Sequence, residues 1–177
     1  MAKWNIDPDH SVAAFNVRHM MAAHVRGQFN KLSGSARFDP ADRSSFSLEV
    51  TIDATGLYTG IAQRDAHLSS PDFFDLAIYP TISFKSTGFK ASDGGGRLAG
   101  DLTIHGVTQP ITLDVKFSGP VTCPEDFGGE TILGITATAS INREEFGMSW
   151  NMPMNDGGVV VGKDIWIDLD IEADLEE

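Results

Sequence analysis

The chain has 177 residues, enough for one domain with its own core and short for two. Against 25 Asp and Glu stand 13 Lys and Arg, and the net charge of −12 repels phosphate backbones and anionic membrane surfaces. Its one cysteine, Cys123, excludes an intrachain disulfide and a cysteine-built zinc site.

The opening, Met1-Ala2-Lys3-Trp4-Asn5-Ile6-Asp7, meets charge at once and has no apolar leader core. No stretch approaches the ~20 apolar residues of a membrane helix. The expectation is one cytoplasmic domain over residues 1–177, with no linker, repeat or low-complexity tract, no nucleic-acid partner and no stable membrane insertion.

Strand signals begin weakly, over Ser11–Arg18 and Gly27–Asp39. They strengthen where Leu48, Val50 and Ile52 alternate with Glu49, Thr51 and Asp53. The best helix signal follows, Ile61–Phe74, and Pro71 after Ser70 predicts a second short helix. Thr81–Lys90 and Arg97–Ile104 read as strands joined by a hairpin turn at Asp93-Gly94-Gly95-Gly96. Ile111, Leu113, Val115 and Phe117 then occupy alternate positions, as do Leu133, Ile135, Ala137, Ala139 and Ile141. A short helical turn is expected near Arg143–Phe146. Ile165, Ile167, Leu169 and Ile171 close the chain opposite Trp166, Asp168, Asp170 and Glu172.

A period of two means strands with one dry face and one wet face. The predicted fold is all-β: a single extended eight-stranded antiparallel barrel with one or two short helices. Closure removes exposed sheet edges. A barrel of about eight strands is either filled by side chains or holds one small ligand, and periodicity does not choose between them.

Three groups of residues could serve a ligand. Met20 and Met21, then Met148, Met152 and Met154 near Trp150 and a Gly-rich loop, suit a tunnel mouth or plain packing against the core. Phe73 and Phe74, with Tyr79, either plug one barrel end or line a cavity wall. Arg18, His19, His24 and Arg26, with Arg64, Asp65 and His67, either hold a polar head group or form a structural network.

The five histidines show no metal-ligand spacing, and no nucleophile elbow or phosphate-binding Gly motif occurs. No catalytic residue, metal or cofactor is assigned. An enzyme built on this chain would draw its acid or base from His19, His67 or Asp65.

Several segments carry a resemblance. They are Trp4-Asn5-Ile6-Asp7-Pro8-Asp9-His10-Ser11, Phe15-Asn16-Val17-Arg18-His19-Met20 with Val25-Arg26-Gly27-Gln28-Phe29 and Gly34, and Arg64-Asp65-Ala66-His67-Leu68 running into Phe73-Phe74-Asp75 and Tyr79-Pro80. Ser83-Phe84-Lys85-Ser86-Thr87, Gly100-Asp101-Leu102-Thr103-Ile104-His105-Gly106-Val107-Thr108 and Asn142-Arg143-Glu144-Glu145-Phe146-Gly147 complete the set. In this order they resemble the YceI-like family, bacterial polyisoprenoid-binding proteins with a lipocalin-like barrel.

The resemblance implies an apolar tunnel holding an isoprenoid tail of the polyprenyl phosphate or quinone type, and it suggests a homodimer. It brings Phe15, Val17, Met20, Phe29 and Phe84 to the tail and favours a lining role for Phe73, Phe74, Met148, Trp150 and Met152. Arg18, His19, Arg26, Arg64, Asp65 and His67 are the head-group candidates. Two alternatives stay open: a filled-barrel interaction or stress protein, and an enzyme on an apolar substrate.

Overall fold

A computed structural model describes residues 1–176, residue 127 by its backbone only. Ten strands form one antiparallel sheet: β1 (Ala2–Ile6), β2 (Val12–His19), β3 (Ala23–Phe29), β4 (Leu32–Phe38), β5 (Ser47–Asp53), β6 (Thr81–Ser92), β7 (Gly95–Ile104), β8 (Val107–Thr122), β9 (Thr131–Asn142) and β10 (Val161–Leu175). One α-helix, α1 (Ala62–Ser69), lies between β5 and β6.

The sheet closes into an eight-stranded ring of β1 and β4 to β10, because β1 pairs with both β4 and β10. The remaining two strands extend it. Along one edge of β10, β2 covers Val161 to Asp170 and β1 covers Ala173 to Leu175, so β1 and β2 act as one interrupted strand. β3 and β4 follow the same logic, pairing in turn with β2 and β1.

The predicted barrel is therefore the observed one. The strand read over Gly27–Asp39 is broken at Asn30-Lys31, and Ala2–Ile6 carried no periodic signal because five residues are too short to show one. The break between β1 and β2 is bridged by Ser11. Its hydroxyl donates to the Glu172 carbonyl (3.3 Å) and accepts from the Glu172 N–H (3.2 Å), standing in for a missing backbone rung.

The turns obey local chemistry. Asp93-Gly94 links β6 to β7 with Gly94 at φ 72°, a conformation that costs glycine little. His105-Gly106 does the same between β7 and β8. The second helix expected at Pro71 does not form. Ser70 instead ends α1, and residues 71–74 are a run of turns. The helical turn near Arg143–Phe146 is present as a 3₁₀ turn.

Inward faces match the alternation. Leu48, Val50, Leu98, Leu113, Leu133, Ile135 and Ile171 are all buried. At one end of the barrel Phe38, Phe46, Phe89 and Phe117 form an aromatic cluster, with neighbouring ring centres 4.6 to 6.3 Å apart. Trp4 is held beside it, its indole N–H donating to the Phe38 carbonyl at 3.2 Å. This end is solid.

Candidate functional site

The opposite end is hollow. A cavity, partly open to solvent, occupies the half of the barrel where β5, β7 and β9 end and β6, β8 and β10 begin. Its wall is apolar but for Arg143: Val50 and Ile52 of β5, Ile82 and Phe84 of β6, Leu102 and Ile104 of β7, Ile111 and Leu113 of β8, Ile141 of β9, and Ile165, Ile167 and Leu169 of β10. β2 adds Ala13, Phe15 and Val17, and β3 adds Phe29.

Two glycines make room for rings in this wall. A Cβ on Gly27 would lie 2.4 Å from the Phe15 ring, and one on Gly100 would lie 2.3 Å from the Phe84 ring. Each phenylalanine thus lies flat over a bare stretch of the neighbouring strand rather than projecting across the barrel.

Leu68 of α1, Phe73, Phe74 and Met148 roof the cavity. Phe15, Phe29 and Phe74 make a ring cluster at 5.7 to 6.4 Å. Phe73 packs against His67 (5.1 Å) and Trp150 (5.4 Å). Phe73 and Phe74 therefore line the cavity, and the plug is formed by other aromatics at the far end.

Outside this roof lies a second depression that shares Phe15, Val17, Leu68, Phe73 and Val161 with the cavity. Its rim carries Arg18, His19, Ile61, Gln63, Arg64, His67 and Trp150. This is the mouth.

Two polar residues of this rim, Arg64 and His67, are engaged. Arg64 Nε donates to Thr59 Oγ1 at 2.8 Å, and its Nη2 donates to the Thr59 carbonyl at 2.7 Å. The Thr59 N–H donates to Asp65 Oδ1 at 3.0 Å, and the Thr59 hydroxyl donates to the same oxygen. Arg64, Asp65 and Thr59 thus tie α1 to the loop before it. His67 Nε2 bonds Asp72 Oδ2 at 2.9 Å, half exposed.

Three expected site residues sit elsewhere. Arg26 pairs with Asn16 on the outward face of the β2–β3 hairpin and lines a shallow outer groove, because its parity is opposite to Gly27 and Val25. Met20 is exposed at the hairpin tip, where Met20 and Met21 both hold a left-handed backbone, φ 48° and 58°. Met152 is exposed on the loop after Trp150. Arg18 has outward parity but reaches the rim because its strand ends there.

One residue of this half escaped a functional assignment in the sequence. Arg143 is 2% exposed, and its guanidinium donates to carbonyls rather than meeting a carboxylate. The acceptors are Gly162 (2.9 Å), Val161 (3.3 Å) and Met148. Phe73 stacks on it, 5.9 Å from ring centre to guanidinium carbon. Burial pushes its pKa below the usual guanidinium range. Arg143 borders the cavity and pins the roof segment 148–150 to the start of β10. The signal was parity: inward alternation along β9, continued past Ile141, points position 143 inward.

A separate polar corner closes β1 onto β2. His10 Nδ1 is 2.7 Å from Asp7 Oδ2 and 3.6 Å from Glu172 Oε1. The Asp7 carboxylate raises the His10 pKa above the usual 6.5, and the His10 hydrogen bond lowers that of Asp7 below the usual 3.8.

Comparison with known proteins agrees with this architecture. A family model, the YceI-like domain, matches residues 4–173. The chain belongs to the YceI-like family. Among its relatives, UPF0312 proteins of Staphylococcus aureus strains USA300 and COL are each 33% identical over 177 residues, covering all of both chains. The Campylobacter jejuni YCEI protein superposes with TM-score 0.72 at 28% identity, over 90% of each chain. Burkholderia cenocepacia BcnA shares the fold with TM-score 0.79 at 21% identity, over 94% of this chain and 98% of its own. So does a polyisoprenoid binding domain from Saccharophagus degradans, TM-score 0.69 at 15% identity, over 99% of this chain and all of its own. Among the described residues of this YceI-like chain no helix is long and apolar enough to cross a membrane.

Proposed function

We propose that this protein binds an isoprenoid tail, or a similar long apolar lipid, in the hollow half of its barrel, and stores, shields or carries it without chemical change. The observation that carries this reading is the cavity wall, apolar at every position but Arg143. Water gains few hydrogen bonds in such a space, and an apolar chain placed there leaves water at about 25 cal/mol per Å². The description of the Saccharophagus degradans relative as a polyisoprenoid binding domain supports the same ligand class.

The head group stays at the mouth, where Arg18 and His19 offer donors to a phosphate or a quinone oxygen, while His67 Nε2 is already held by Asp72. Arg64 contributes less, since Thr59 already takes two of its N–H groups. The filled-barrel alternative describes the far half well but leaves the hollow half unexplained. The homodimer expectation has Trp166 in its favour, 40% exposed on the outer sheet face with His24 at 5.5 Å.

Native mass spectrometry of freshly purified protein, followed by organic extraction, is the test. A co-purifying species with isoprene-unit mass spacing is expected. If the purified protein is empty, a prenyl quinone and a prenyl phosphate are added. Failure of both to bind, at every tail length, overturns the proposal.

A further inference from the structure

We infer that the solid half of the barrel is a ruler: it limits the bound tail to a few isoprene units, and longer tails leave the excess outside. This rests on the isoprenoid reading above. The cavity does not run through the barrel. Stepping inward by two residues on each strand, the wall changes from lining to filling. Val50 lines the cavity and Leu48 does not, Leu113 does and Val115 does not, and Leu169 does and Ile171 does not. On β7 the lining ends at Leu102, the Phe84 ring covers Gly100, and Leu98 is fully buried beneath.

Leu48, Leu98, Val115 and Ile171 therefore form a floor, each 3% exposed or less. Under the floor lies the cluster of Phe38, Phe46, Phe89 and Phe117. A tail that went deeper would have to displace the buried floor side chains and the rings packed beneath them. The family resemblance led to an expectation of a through tunnel; the floor replaces it with a blind pocket.

The depth follows from strand geometry. Ile165 to Leu169 spans about 13 Å at roughly 3.3 Å per residue, which is about 10 Å along the axis of a barrel whose strands tilt by about 40°. An isoprene repeat has four backbone bonds of about 1.5 Å and extends roughly 5 Å. About two units fit inside the wall, and roughly one more fits under the Phe73 and Phe74 roof.

The experiment uses ubiquinones whose tails grow one isoprene unit at a time, in one fixed concentration of non-ionic detergent. Binding is read from quenching of tryptophan fluorescence. Affinity is expected to rise about tenfold per unit up to about the third, then by less than about threefold per further unit. Ala13→Leu, which fills space in the hollow half, moves the break to a shorter tail. Leu98→Ala, which deepens the floor, moves it to a longer one. Thermal unfolding checks that each variant is folded, and Ala13→Leu carries the test if Leu98→Ala is not.

Affinity that keeps climbing at the same rate well past the third unit overturns the ruler and leaves the lipid reading standing. A break that neither folded variant moves overturns the floor as its cause. Absence of binding for every tail overturns the lipid reading itself.

Discussion

The two halves of the barrel share the same strands and the same alternation, yet one is solid and the other hollow. In the solid half four phenylalanines from β4, the loop after it, β6 and β8 converge on one another, and the Trp4 indole N–H donates to the Phe38 carbonyl beside them. In the hollow half the phenylalanines turn aside: Phe15 lies over Gly27 and Phe84 over Gly100. The remaining wall there is mainly Ile, Val and Leu, whose short side chains do not meet across the barrel. A ring over a glycine is common to both halves, since Phe89 of the solid half lies over Gly96, so what separates them is side-chain reach: four rings meet in one half, and short aliphatic side chains face one another in the other.

This contrast can be broken by mutation. The largest effect is expected in the solid half. Phe38→Ala leaves a void in close packing and should cost about 3–5 kcal/mol in urea unfolding. A loss below about 1 kcal/mol would show that this end is not tightly packed.

Next comes Arg143→Met, which strips the donors from the Met148, Val161 and Gly162 carbonyls. About 2–4 kcal/mol should be lost, since each abandoned buried acceptor costs about 1–3 kcal/mol and water can reach some of them. Hydrogen exchange should accelerate over residues 148–162 before it does elsewhere. Uniform acceleration would mean that Arg143 supports the whole barrel and not the roof.

Phe73→Ala sharpens the comparison from the other side. It enlarges a space that already exists, so its stability cost should be less than half that of Phe38→Ala. Prenyl quinone affinity should nevertheless fall at least about tenfold, read by the same fluorescence titration. Equal stability costs for the two phenylalanines would dissolve the distinction between the halves.

Thr59→Val removes the hydroxyl that receives Arg64 Nε and donates to Asp65, and should cost about 1–2 kcal/mol by thermal or urea unfolding. The smallest effect belongs to the corner between β1 and β2. His10 has a raised pKa, so its contribution is complete below 6.5 and fades as pH rises through the raised value. Asp7 has a lowered pKa, so its contribution is complete above 3.8 and is lost only as pH falls through the lowered value. Between those limits the corner is tightest. His10→Ala should flatten the slope of melting temperature against pH on the neutral side, and an unchanged slope would assign it to another group.

Strand periodicity, turn residues and composition determined the barrel without help. Alternation on β5, β8, β9 and β10 names the inward faces, and Asp93-Gly94 marks its own hairpin, because these features depend only on neighbours in sequence. The family resemblance pointed to Phe15 and Val17 and favoured a lining role for Phe73, Phe74 and Met148; these five come together at the cavity, with His19, Arg64, His67 and Trp150 at the rim of its mouth.

Closure alone decided the rest. Whether Phe73 plugs or lines depends on which strand ends meet it. Arg26 was drawn to the site by closeness in sequence to Arg18, whereas strand parity puts it on the outer face. Arg143 received no role from the sequence, and the fold placed three carbonyls around it. Where the cavity stops is likewise a fact of packing: Leu48 and Val50 are both inward on one strand and equally apolar, and only the side chains arriving from the other strands make one of them floor and the other wall.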